Sequence, residues 1–149
     1  MIQRIQSLYL LLVIIAYTLL FFFPIATYTA MSSDNLTEIT TRFSLLGITN
    51  ANSNSTIPLM VAVVLLAIAV LVTIFLYKKR LLQIKITAIV LLAHMGLVVA
   101  LFYSGGKIGA NPAYDAGMYI ALIPLVFLVL ANRAIRRDEK MVRSTDRLR

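Results

Sequence analysis

His94 is the residue of this sequence whose type and position could best support chemistry inside an apolar environment, and it is the only histidine. It lies within ITAIVLLAHMGLVVALFYS, a stretch without charge between Lys85 and Lys107. An ionisable side chain in such a stretch is a functional candidate, in a proton relay or as a ligand. The alternative is a neutral imidazole that is hydrogen-bonded across a helix interface, which is a structural role.

The residues required by other kinds of chemistry are missing. The absence of cysteine excludes disulfides, thiolate catalysis and cysteine-ligated metals, and His94 has no second histidine to share a metal. The long apolar stretches contain no Asp or Glu, and neither a G-x-S-x-G elbow nor a phosphate-binding glycine loop occurs. We therefore expect no enzyme activity, no catalytic residue, no bound metal and no cofactor.

The composition indicates an integral membrane protein. Of 149 residues, 60% are hydrophobic and 13% are charged, whereas ordinary globular domains have about 45–50% apolar and about 25% charged residues. A soluble domain of this size leaves roughly a third of its chain surface exposed, so one small core cannot bury such an excess. The surplus apolar surface is expected to face lipid.

Four stretches are long and apolar enough to cross a bilayer, which takes about 20 residues per helix. We predict a single all-α membrane domain, a four-transmembrane-helix bundle, over residues 1–149. Pro24 and Pro124 fall inside predicted spans, where a bend is expected and a transporter hinge is the alternative. The predicted spans are about 8–30, 58–77, 86–104 and 117–132.

Two loops are expected on one side of the bundle. In the longer loop, 31–57, the segment TEITTRFSLLGI is rich in β-branched and aromatic residues and predicts one or two short strands with a turn near Gly47. The shorter loop, GGKIGANPAYDAG, is expected to be a connector, with a re-entrant substrate-binding loop as the alternative.

Basic residues cluster on the other side, before the first span, between the second and third spans, and in the tail 133–149. Arg42 and Lys107 are the exceptions. Since loops rich in Lys and Arg stay cytoplasmic, both termini are predicted to be cytoplasmic. The candidate contacts for a protein partner or for anionic lipid headgroups are Arg4, Lys78, Lys79, Arg80, Lys85, Arg133, Arg136, Arg137, Lys140, Arg143, Asp146, Arg147 and Arg149.

The tail interleaves acids with its bases. If the fourth span continues into it as a helix, Glu139 lies four residues before Arg143. A segment that only binds anionic lipid would avoid acids, whereas mixed signs at helical spacing suit a solvated or partner-facing helix. The tail is then a topology anchor or a docking helix, and we do not expect nucleic acid to be its partner.

The two ends of the chain, MIQRIQ at residues 1–6 and DRLR at residues 146–149, resemble those of a family of small four-helix membrane proteins from the Bacteroidota, domain of unknown function 4293. The resemblance covers the whole chain, including the basic second connection and the charged tail. It implies an inner-membrane location in a Gram-negative bacterium, with periplasmic exterior loops. The resemblance does not indicate which activity the protein has.

These observations lead to two main hypotheses. The first is a non-enzymatic accessory or scaffold subunit that docks a partner through its basic cytoplasmic face. The alternative is a small oligomeric transporter or channel component that uses His94. An enzyme with lipid-like substrates is a third and weaker hypothesis, because no catalytic motif supports it.

Overall fold

The computed structural model describes residues 2–31, 38–48, 56–108 and 112–146. This part of the chain is mostly helical, and four helices are long and apolar enough to cross a membrane. That property indicates a multi-pass membrane protein. The helices are α1 (Ile2–Phe22), α2 (Ile57–Phe75), α3 (Arg80–Ile108) and α4 (Ala116–Asp146).

A small antiparallel sheet covers one end of the helices, which we call the sheet end. Its strand order is β3-β2-β1-β4. At the opposite end, which we call the basic end, lie the start of α1, the connection 76–79 between α2 and α3, and the last turns of α4. The strands are β1 (Ala26–Met31), β2 (Glu38–Ser44), β3 (Gly47–Ile48) and β4 (Ala113–Tyr114).

Each helix buries one stripe and leaves an apolar outer face exposed. In α1, Leu10, Val13 and Tyr17 are buried at helical spacing, while Leu11 and Ile15 on the outer face are about half exposed. Water would disfavour such exposure, but a lipid environment accepts it. α1 packs most extensively against α4, α4 also contacts α3, and α2 lies against α1 and α3.

The first helix is shorter than the predicted span 8–30, because α1 ends at Phe22 and β1 begins at Ala26. Pro24 therefore lies after the helix, and the prediction of a bend at Pro24 within a span is wrong. Proline lacks the N–H that continues a helix and disfavours helical backbone in the residue before it. The alternating ATYTAM segment then forms a strand.

The predicted short strands near Gly47 are confirmed as β2 and β3. The turn between them is closed by Ser44, whose hydroxyl donates to the Gly47 carbonyl at 2.9 Å. Gly47 has φ +151°, a backbone conformation that side chains rarely allow. Residues 32–37 and 49–55 of the predicted loop lie outside the described residues.

The other helices begin or end beyond the predicted spans. α3 begins at Arg80, earlier than the predicted start at 86, and ends at Ile108. α4 contains Pro124, as predicted, and continues without interruption to Asp146. α4 therefore extends beyond the predicted span 117–132 and meets the condition under which Glu139 lies four residues before Arg143 on one helix. The shorter loop contains β4, which the sequence reading did not predict.

The sheet and α4 meet the end of α1 through backbone contacts. The Gly117 N–H donates to the Pro24 carbonyl at 2.9 Å, and the Asp115 N–H donates to the Ile25 carbonyl at 3.0 Å. A Cβ atom at Gly117 would collide with the Pro24 and Phe23 carbonyl oxygens. Only glycine therefore permits this approach.

Side chains of β1 add two further contacts at the sheet end. The Thr27 hydroxyl donates to the Asp115 carboxylate, and the Tyr28 hydroxyl donates to the Gly105 carbonyl near the end of α3. Burial raises the pKa of the Tyr28 hydroxyl above its ordinary value, and Tyr114 adds to the rise. The hydroxyl thus keeps its proton and remains a donor.

We expect Gly117→Ala to lower the free energy of unfolding by about 1–3 kcal/mol, because the methyl group would collide with rigid backbone. Gly96→Ala is the matched control, since a Cβ there meets nothing within 4 Å and alanine is the better helix former. Thermal unfolding in detergent micelles measures both. Equal stability of the two variants would show that the backbone of the folded protein leaves room for a methyl group at Gly117.

Candidate functional site

His94 lies at the centre of the helix bundle and is fully buried. Its Nδ1 is 3.1 Å from the Tyr17 hydroxyl of α1, and its Nε2 is 2.9 Å from the Ala121 carbonyl of α4. The two rings are also in contact, with centroids 5.3 Å apart. One imidazole of α3 therefore joins three helices.

The partners determine how the imidazole is protonated in its neutral form. A carbonyl oxygen can only accept, so Nε2 of His94 carries the proton and donates to Ala121. Nδ1 then accepts from the Tyr17 hydroxyl. Both ring nitrogens are satisfied by the protein itself, which is the arrangement expected of a structural histidine.

The Ala121 carbonyl lies in the turn that Pro124 disturbs. Proline has no N–H to donate to the carbonyl four residues earlier, which here belongs to Ile120. Neighbouring helices make such turns acceptable inside a membrane by offering donors to the local backbone. His94 supplies a donor to the adjacent carbonyl, so the polar contact and the proline lie in the same part of α4.

A second set of buried polar contacts joins α2 to α3 toward the basic end. The Gln83 side-chain amide donates to the Thr73 carbonyl at 3.2 Å. Thr73 and Thr87 each donate to the carbonyl four residues earlier in their own helix. All three side chains are almost completely buried. The His94 hydrogen bonds go to α1 and α4, whereas this hydrogen bond joins α2 to α3.

The structure brings two of the predicted basic segments together. Nη1 of Arg80, at the start of α3, lies 3.2 Å from Oδ2 of Asp138 in the tail part of α4. That nitrogen is buried and makes no hydrogen bond with any described residue, so the contact is ionic. Asp138 is itself only 8% exposed. This ion pair links the start of α3, directly after the α2–α3 connection, to the tail part of α4.

The other described basic candidates stay on the surface. Arg136 donates through Nε to the Asn132 side chain at 3.1 Å. The side chains of four candidates fall outside the described part, although their backbone is helical: Arg4, Lys78, Arg143 and Asp146. Arg147 and Arg149 lie outside the described residues altogether. The exposed candidates are Lys79, Lys85, Arg133, Arg136, Arg137 and Lys140.

His94 was identified from the sequence, but Tyr17, which contacts it, and Gln83, which joins α2 to α3, were missed. Tyr17 and Gln83 are polar groups within or beside apolar runs, and that is the only signal that could have pointed to them. Nothing in the sequence predicted that Asp138 is buried, because it is one of several acidic residues in a tail of mixed charge. Contacts between distant helices depend on how the helices are rotated, which periodicity in one helix does not determine.

Among the described residues, no group of three or more His, Asp or Glu side chains could hold a metal. Four apolar helices, a small sheet at one end and a buried polar contact at the centre define a small multi-pass membrane protein. The chain belongs to the family described as domain of unknown function (DUF4293), whose family model matches residues 2–148. Comparisons with curated proteins and with solved structures gave no significant match.

We expect Tyr17→Phe to lower the free energy of unfolding by about 0.5–2 kcal/mol, the range for interhelical hydrogen bonds in membranes. His94→Ala should cost about 2 kcal/mol or more, because it also leaves a cavity. Adding Tyr17→Phe to His94→Ala should then cost almost nothing further, since the hydrogen bond is already lost. Denaturant titration in mixed micelles measures all three.

Tyr119→Phe is the control, because its ring is 67% exposed on the same bundle. It should leave stability unchanged. If the double variant loses the sum of the unfolding free energies lost by Tyr17→Phe and by His94→Ala, the result would contradict a hydrogen bond between the two side chains.

Proposed function

We propose that this protein is a non-enzymatic accessory or scaffold subunit of a membrane assembly, which docks a partner protein at its basic end. The observation that carries the proposal is an ordered surface built from two chain segments. α4 continues past its apolar part to Asp146, and the ion pair between Arg80 and Asp138 holds it against the start of α3.

The surface contains a shallow groove of about 510 Å³, which we call the docking groove. Leu82 is 42% exposed there and Val142 is 40% exposed, although both lie at the charged end of the molecule. An apolar centre with a charged rim is typical of protein interfaces. The groove is lined by Lys79, Arg80, Leu81, Leu82, Glu139 and Val142.

The alternative function, a transporter or channel component using His94, has less support. A histidine that relays protons or binds a ligand needs a free nitrogen or a water-filled path. His94 is fully buried, and both of its nitrogens are within hydrogen-bonding distance of protein atoms. We therefore expect replacement of His94 to lower the stability of the fold, and not to remove a group that acts in transport.

We further propose that the protein lies in the inner membrane of a Gram-negative bacterium with both termini in the cytoplasm. The distribution of charge supports this orientation. Lys79, Arg80 and Lys85 at the α2–α3 connection lie at the same end as the bases of α4, whereas Arg42 and Lys107 lie at the sheet end. Positively charged segments are retained on the cytoplasmic side.

Single-cysteine labelling tests this orientation, and the natural chain provides a cysteine-free background. We expect Leu46→Cys, on the exposed turn of the sheet end, to react with a membrane-impermeant maleimide on intact spheroplasts. Arg136→Cys should react only after the membrane is permeabilised. The reverse pattern would contradict the proposed orientation.

Site-specific photocrosslinking in native membranes tests the docking groove. A photoreactive amino acid at Leu82 or at Val142 should capture the same protein, because both positions line one groove. The same amino acid at Leu46, which is 70% exposed at the opposite end, is the control and should not capture it. Mass spectrometry identifies the adducts. If positions 82 and 142 yield no common protein, the docking proposal fails.

Point variants are better suited to this test than removal of the tail. A chain truncated after Asn132 would lose Ile135, which is completely buried, and Asp138, which pairs with Arg80. Failure of the truncated chain to bind would then reflect lost packing as well as lost docking. Exposed positions such as 82 and 142 avoid this ambiguity.

A further inference from the structure

A second recess at the basic end lies between α1 and α4, away from the docking groove. It encloses about 500 Å³, within the range of small-ligand sites. Beside it, the Gln6 side-chain amide lies 3.4 Å from the Ala134 carbonyl and joins the two helices. We call this recess the α1–α4 cleft, and it is lined by Ile5, Tyr9, Leu130, Arg133, Ala134 and Arg137.

Two guanidinium groups belong to this cleft. Arg133 and Arg137 are four residues apart on α4, so they project from the same helix face with Cβ atoms about 6 Å apart. Neither forms an ion pair or a hydrogen bond with a residue that the structure describes, in contrast to Arg80 and Arg136, which are engaged with Asp138 and Asn132. Two cations therefore line the cleft without an anionic partner among the described residues.

The remaining walls of the cleft are apolar. Ile5 and Leu130 contribute aliphatic surface, and the Tyr9 ring is held in place by stacking on Phe127, with centroids 6.3 Å apart. Along α4, Leu130 belongs to the apolar part of the helix, whereas Arg133 and Arg137 follow it. The cleft thus joins the apolar part of α4 to its charged part, the transition that a helix makes where it leaves the hydrocarbon region.

We propose that the α1–α4 cleft binds one anionic phospholipid. Its phosphate lies between the guanidinium groups of Arg133 and Arg137, which suit phosphate oxygens because of their planar arrangement of donors. Its glycerol and the first acyl carbons lie along Ile5, Tyr9 and Leu130. A soluble phosphate would use the arginines but gain nothing from the apolar walls, and these walls favour the lipid. Basic pockets between membrane helices are suited to such headgroups.

The proposal does not depend on the docking groove. The groove lies on the side of α4 that faces the α2–α3 connection, whereas the cleft lies on the side that faces α1. Loss of one site should leave the other intact, so failure of lipid binding and failure of partner docking can be distinguished by experiment.

Native mass spectrometry of the full chain, purified in detergent and delipidated, tests the proposal. With phosphatidylglycerol added, we expect one lipid to remain bound at low concentration, and phosphatidylethanolamine not to replace it. Arg133→Gln combined with Arg137→Gln should weaken phosphatidylglycerol binding by about tenfold or more, because each base contributes to headgroup attraction. Inorganic phosphate at equal concentration should not compete.

The matched control is Arg136→Gln combined with Lys85→Gln, which removes the same charge from exposed positions at the same end. It should retain phosphatidylglycerol binding within about twofold of the natural chain, because a specific site depends on position and not on total charge. Equal losses in the two double variants would overturn the proposal, since they would indicate diffuse electrostatic attraction. Competition by inorganic phosphate would overturn it in favour of a soluble-anion site.

A variant with unchanged charge provides a second test. Ala134→Leu fills the cleft and should reduce phosphatidylglycerol binding several-fold while both arginines remain. Thermal unfolding of each delipidated variant verifies that it is folded before binding is compared. If a folded Ala134→Leu variant binds phosphatidylglycerol as well as the natural chain does, the lipid binds outside the cleft and the proposal is overturned.

Discussion

One buried imidazole, that of His94, forms hydrogen bonds that connect three of the four helices. Apolar helix surfaces in lipid have no hydrophobic reason to prefer each other, so orientation depends on polar contacts and on close backbone packing. His94 supplies the polar contact, to Tyr17 of α1 and to Ala121 of α4. Gly117 supplies the close approach to Pro24 at the sheet end. The cleft and the docking groove both depend on the rotation of α4 that these contacts select.

The sequence was sufficient to predict most of the helical structure, because length without charge is a strong signal. It failed at the end of the first helix, where absence of charge does not distinguish a span from an apolar strand. Pro24 and the alternation in ATYTAM were the available signals, and the structure places a strand there. The strands near Gly47 were predictable from β-branched residues and a turn, whereas the two-residue β4 left no pattern to detect.

The candidate site was predictable only as a set of residue types. His94 was conspicuous in an apolar run, yet Tyr17, its partner, is 77 positions away and resembles any other tyrosine of a span. Among the bases of the tail, nothing in the sequence separates Arg133 and Arg137, which line the α1–α4 cleft, from Arg136, which does not. That distinction arises from the rotation of α4 against α1, a property of the assembled bundle.

The packing of α1 against α4 has a consequence for biogenesis. Ribosomal synthesis releases α1 well before α4, yet these two helices form the most extensive helix contact of the described structure. The face of α1 that packs against α4 therefore stays uncovered until α4 is made, although α2 and His94 of α3 can contact α1 earlier. The largest helix contact of the described structure can therefore form only after the last helix has been synthesised.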